Sequence, residues 1–113
     1  MRKSDKKIEN KLREVLTDVC EIALKEFTGF EWVTHLVNYN NFPSSLKIIC
    51  IFDTNDNLTL FKESNNHRKL GTLIQTKLFE IDINLKSINN HFSYDTEENC
   101  QKSNSGKWAD RLG

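Results

Sequence analysis

The sequence predicts an α+β domain with element order α-β-β-α-α-β: a three-stranded mixed sheet with helices packed on one face. Three patterns carry this reading. Residues 4–27 repeat apolar side chains at three- and four-residue steps, as an amphipathic helix does. The run Leu46-Lys47-Ile48-Ile49-Cys50-Ile51-Phe52 is almost continuously apolar, which marks a strand buried on both faces. Helical spacing then returns over residues 67–80, before a last β-rich segment.

The first helix takes Ser4 as its N-cap and places Ile8, Leu12, Val15, Leu16, Val19, Ile22, Ala23 and Phe27 on one stripe. Thr28-Gly29 ends it, with Gly29 suited to a left-handed C′ position. Residues 31–39 are rich in β-branched and aromatic side chains and read as a strand. Trp32 and Leu36 fall on one face, Val33, Val37 and Tyr39 on the other. Turn chemistry over residues 40–45 joins this strand to the 46–52 strand, and so short a link suits an antiparallel hairpin. Thr54 caps a short helical segment that runs through Phe61 with Leu58 inward. The helix at 67–80 takes Asn66 as its cap and points Leu70, Leu73, Ile74, Leu78 and Ile81 inward. Gly71 inside it costs about 1 kcal/mol relative to Ala, which hints at close backbone packing. The last strand spans residues 88–96, with Ile88, Phe92 and Tyr94 inward.

A right-handed crossover makes the second and third strands parallel and puts the 46–52 strand in the middle. Residues 1–100 then form a single α+β domain. Residues 101–113 form a polar C-terminal tail, flexible over 101–106 and anchored by Trp108 and Leu112. There is no repeat, heptad or domain linker. Because the central strand is apolar on both faces, the second face needs a cover: the tail, a loop or a second copy of the chain.

Sixteen basic and sixteen acidic residues among 113 leave no net field to attract nucleic acid or an anionic membrane. A nucleic-acid role must therefore rest on a local patch. The apolar runs are too short for a membrane span, and the charged start lacks the apolar segment of a signal peptide. Cys20, Cys50 and Cys100 are odd in number and widely spaced, with no Cys-x-x-Cys, so a reducing cytoplasm is expected. Cys20 and Cys50 fit a core; Cys100 falls in the polar tail.

Two surface candidates and one acidic candidate stand out. Lys6, Lys7, Lys11 and Arg13 make a basic N-terminal helix, diluted by Asp5, Glu9 and Glu14. Tyr39 and Phe42, among Asn38, Asn40, Asn41 and Pro43, offer stacking faces beside amides, a platform for single-stranded nucleic acid or a protein partner. The opposing expectation is that Phe42 folds back on the core. At the sheet edge Asp53, Asp56 and Asp95, with Glu97 and Glu98, would suit Mg²⁺ or Mn²⁺ if they converge. The competing expectation is that Asp53 and Thr54 simply cap a helix. His35, His67 and His91 show no metal-ligand spacing, no serine sits in a Gly-x-Ser-x-Gly turn, and Gly106-Lys107 lacks a phosphate loop. No cofactor is expected.

The element order resembles the type II KH fold and, within it, ribosome-binding factor A. Leu70-Gly71-Thr72-Leu73-Ile74 through Leu78, then Leu85 and Phe92-Ser93-Tyr94-Asp95, look like that factor's last helix and strand. The resemblance implies a fold used for RNA, but the Gly-x-x-Gly loop that grips RNA is replaced by Glu63-Ser64-Asn65-Asn66. The whole chain also looks like short bacterial proteins assigned to the Fis family of transcriptional regulators. That likeness rests on Gly71-Thr72-Leu73 with Lys77-Leu78 and implies DNA binding by a helix-turn-helix, which needs two adjacent helices and a tight turn. The expectation is a cytoplasmic, non-enzymatic binding or regulatory protein associated with nucleic acid. The alternatives are a module that homodimerises through its sheet face and a metal-dependent enzyme at the acidic edge.

Overall fold

A computed structural model describes residues 2–113. The chain runs α1 (Lys3–Glu26), β1 (Phe30–Leu36), β2 (Lys47–Phe52), α2 (Asn55–Glu63), α3 (Asn66–Glu80), β3 (Phe92–Thr96), α4 (Glu97–Asn104) and α5 (Trp108–Leu112). The sheet order is β1-β2-β3, with β1 antiparallel and β3 parallel to β2. The α+β class, mixed sheet and first six elements are those expected, and α4 and α5 are additional.

α1 begins one residue before Ser4, which lies inside the first turn rather than capping it. Asp5 explains the start: its carboxylate is buried, takes a hydrogen bond from Arg2 Nε at 3.1 Å, and favours the positive end of the helix. Leu12, Val15, Leu16, Val19 and Ala23 pack inward with Leu70, Ile74 and Leu78 of α3 and with Ile48, Cys50 and Phe52 of β2. Gly29 is left-handed (φ +85°), and a Cβ there would stand 2.7 Å from the Asn57 side chain and Asp53 Oδ1. Only glycine permits both the turn and this approach.

β1 stops at Leu36, short of Tyr39. Asn38 accepts a hydrogen bond from the Asn40 amide, and its carbonyl accepts one from Ser45 Oγ, so residues 39–41 wind into a 3₁₀ turn. Thr54 caps α2 through the Asn57 amide, as expected. α3 is preceded by Asn65, not capped by Asn66, and Asn65 makes no side-chain cap bond. β3 is shorter than the sequence suggests. Residues 88–91 form a 3₁₀ turn pinned by His91 Nδ1 donating to the Leu46 carbonyl at 2.6 Å.

The second sheet face is covered by the tail, one of the three covers expected, but by helices rather than a flexible segment. Trp32, Ile51 and Asp95 are register partners and form one row across the three strands. α5 lies over that row: Trp108 meets Trp32 edge-to-face at 5.0 Å, and Arg111 binds both Asp95 oxygens at 2.5 and 3.0 Å. Glu97 accepts both indole N–H groups, Trp32 at 2.7 Å and Trp108 at 3.0 Å. Ile51 is fully buried and Ile49 nearly so. The residues expected to form a polar, flexible tail are helical and cover this face, and Cys100 is buried rather than exposed. The chain supplies its own cover, so the apolar second face no longer argues for a second copy. Helices therefore occupy both faces, not one. No helix among the described residues is long and apolar enough to cross a membrane.

Candidate nucleic-acid interface

The hairpin tip and the basic helix, nominated separately in the sequence, meet in space through Glu9. Its carboxylate accepts from the Tyr39 hydroxyl, lies 2.8 Å from His35 Nε2, and pairs with Arg13 Nε at 3.4 Å. Burial raises the Glu9 pKa, but the Tyr39 and His35 hydrogen bonds and the His35 and Arg13 charges outweigh it, holding the carboxyl below its ordinary value. Tyr39 is correspondingly pushed up, by burial first and then by the Glu9 carboxylate. Phe42 stacks on Tyr39 with ring centroids 5.7 Å apart and packs against the core. The Phe42–Pro43 peptide bond is cis. The aromatic tip is therefore half-buried and already engaged, rather than an open platform.

Helical spacing divides the basic residues. Lys6 and Arg13 fall on the flank of α1 that carries Glu9; Lys7 and Lys11 fall on the opposite flank. All four are exposed. Two of the three acids that dilute them in sequence, Asp5 and Glu9, turn inward and are neutralised locally, leaving Glu14 at the surface.

The acidic strand ends do not converge. Asp53 Oδ1 accepts from the Thr54 amide at 2.6 Å and from Asn57 Nδ2 at 2.9 Å, while Asp56 sits exposed in the first turn of α2. Asp95 is held by Arg111 and the Thr96 amide; burial opposes its charge, but these contacts keep its pKa low. Among the described residues no group of three His, Cys, Asp or Glu side chains is placed to hold a metal ion. Asp53, Asp56 and Asp95 are thus not brought together as metal ligands: Asp53 and Asp95 each accept from the amide of the capping threonine that follows, and Asp56 lies exposed in the first turn of α2. Asp53-Thr54-Asn55-Asp56-Asn57 and Asp95-Thr96-Glu97-Glu98-Asn99 are the same device at the ends of two parallel strands. In each, the threonine hydroxyl caps a helix through the asparagine amide three residues on. Asn55 ties the pair together, accepting from Thr96 Oγ1 at 2.7 Å and donating to Asn99 Oδ1 at 2.8 Å. The Asp-Thr-x-x-Asn motif occurs twice in the sequence, and in both copies it marks the threonine as a helix cap beside its aspartate.

A groove of about 600 Å³ between α3 and the edge strand β3 is the site that sequence reasoning missed. Its aromatic side is Phe92 and Tyr94, both half-buried; its polar side is His67, Arg68, Gln75 and Asn89, and no lining residue is acidic. Gly71 lets the helix sit close, since a Cβ there would be 3.3 Å from Phe92 Cε2. Lys62, in the last turn of α2, holds its ammonium 5.5 Å from the Tyr94 ring centroid. Neither Lys62 nor Arg68 belongs to any ion pair among the described residues. The available signal was Phe92 and Tyr94 at alternate positions on one strand, opposite a glycine-bearing helix with Arg68 and Gln75 seven residues apart. Comparison with protein-family models, curated proteins and solved structures finds no match.

Proposed function

We propose that the chain is a cytoplasmic, non-enzymatic binding protein that takes single-stranded nucleic acid into the groove between α3 and β3. One observation carries the reading: a groove with two half-buried aromatic rings is flanked by two cations that belong to no ion pair among the described residues, and no carboxylate lines it. Bases stack on aromatic faces without sequence preference, and cations beside the stack take the phosphates. Gln75 and Asn89 add amide groups that suit base edges, and β3 is an edge strand with one side of its backbone free of a neighbouring strand. Lys6, Lys7, Lys11 and Arg13 add a weaker, long-range attraction.

The test is anisotropy of a labelled oligo-dT or oligo-U titrated with the full chain at several salt concentrations. Binding that weakens with salt, and that falls with Arg68→Glu more than with Lys7→Glu or Lys6→Glu, supports the reading. Absence of binding to either oligonucleotide at low salt overturns it.

A further inference from the structure

His67 lines the β3 groove beside Arg68, in the first turn of α3, with one ring nitrogen engaged and the other open. Its Nδ1 lies 2.6 Å from the Ser64 carbonyl. A carbonyl oxygen only accepts, so Nδ1 carries a hydrogen and the neutral ring keeps its lone pair on Nε2. Nε2 makes no hydrogen bond among the described residues, where no buried side-chain nitrogen or oxygen lacks a partner, so it is open to solvent. The backbone of this turn does not compete for an anion. The Asn66 amide donates to Ser64 Oγ, and the Arg68 and Lys69 amides donate to the Asn65 carbonyl.

The surrounding charges leave the ring to respond to a ligand. α2 ends in Lys62 and Glu63 and α1 in Lys25 and Glu26, all exposed. β3 contributes Tyr94, neutral because burial pushes its hydroxyl up to about 12, and the 88–91 turn contributes His91, bonded to the Leu46 carbonyl. No carboxylate among the described residues pairs with His67. Arg68 is a like charge and a phosphate an opposite one, so a proton on Nε2 is favoured most when a phosphate occupies the groove.

We propose that His67 and Arg68 form a backbone-phosphate subsite that His67 completes by taking up a proton, so that single-stranded nucleic acid and H⁺ bind together. The proton passes from solvent to Nε2, and the new N–H donates to a phosphate oxygen that the neutral lone pair would repel. The inference rests on the reading that the groove binds single-stranded nucleic acid, and it adds the regulation of that site by pH. Affinity should rise as pH falls through the range in which imidazoles titrate.

Oligo-dT, which has no group titrating in that range, is the probe, with the full-length wild type and His67→Gln at fixed salt. Wild-type affinity should rise about tenfold from about pH 8 to about pH 5.5, and the His67→Gln profile should be nearly flat. The wild type also carries a test that needs no variant. In NMR the pH midpoint of the His67 ring protons should move up on adding oligo-dT, while that of His35, on the far edge of the sheet, stays in place. Wild-type binding that is flat with pH, a His67→Gln profile that keeps the wild-type slope, or an unmoved His67 midpoint would overturn the proposal and leave the groove reading intact. Failure of the wild type to bind at any pH would remove both.

Discussion

The two edges of the sheet border grooves of nearly equal size, about 580 Å³ beside β1 and about 600 Å³ beside β3, with opposite chemistry. The β1 groove holds two carboxylates, Glu9 and Glu21; His35, Tyr39 and Arg13 all converge on Glu9, while Glu21 is exposed and in no ion pair among the described residues. The β3 groove holds Arg68, with Lys62 against its Tyr94 ring, and neither has an acidic partner among the described residues. Size does not distinguish the two grooves; the carboxylates of the β1 groove, one of them braced, and their absence from the β3 groove do. A polar cluster whose bonds are made within the chain contributes to stability, whereas one whose charges are left open is available to a ligand. On this comparison the β1 edge is a brace between α1 and the hairpin, and the β3 edge is the binding face.

The sharpest way to break the comparison is to reverse charge in each groove. Arg68→Glu should lower oligo-dT affinity by about tenfold to a hundredfold, since two units of charge change beside the phosphates. Arg13→Glu, the matching reversal, should lower affinity by no more than a few-fold, because its position borders the braced groove. Equal losses in the two variants would erase the distinction.

Stability should respond the other way. Tyr39→Phe removes a hydroxyl that donates to a half-buried carboxylate, and urea unfolding should report a loss of about 1.5 kcal/mol with unchanged oligonucleotide affinity. The same brace sets a pH dependence. Glu9 has a folded-state pKa below its ordinary 4.5, so its contribution is present above pH 4.5 and is lost as pH falls through the folded value. Thermal melts should therefore decline on acidification below pH 4.5, and Glu9→Gln should start less stable at pH 7 and decline less steeply. The Asp95–Arg111 pair on the second sheet face adds to the decline in both chains, because the Asp95 pKa is also lowered.

Gly71→Ala gives the smallest effect. The new methyl meets Phe92 at 3.3 Å, and the half-buried ring can yield toward the groove. Helix propensity favours Ala by about 1 kcal/mol and the contact offsets part of that, so stability should change little. Affinity should fall severalfold, because the displaced ring narrows the groove.

The main elements were legible because their patterns are local and strong. The α1 stripe, the apolar β2 run and the Thr54 cap each need only a few neighbouring residues to be read. For the second face the tail anchored by Trp108 was one of three covers the sequence offered, but its two helices were not legible. Residues 97–113 have too few apolar side chains to signal a packed segment, and their attachment depends on Trp108, Arg111 and Glu97 finding partners on two distant strands. The candidate site was partly legible. Tyr39 and Arg13 were singled out and do meet, but their shared carboxylate uses their polar groups internally. The β3 groove depends on α3 lying against an edge strand about twenty residues later in the chain, which no local window contains.

The most direct measurement is an amide NMR titration of the full chain with oligo-dT at low salt. Shifts concentrated at Arg68, Gln75, Asn89 and Tyr94, with Glu9, His35 and Tyr39 unmoved, are the predicted result. Shifts confined to α1 and the hairpin, or no shifts at all, would contradict the assignment of binding to the β3 edge.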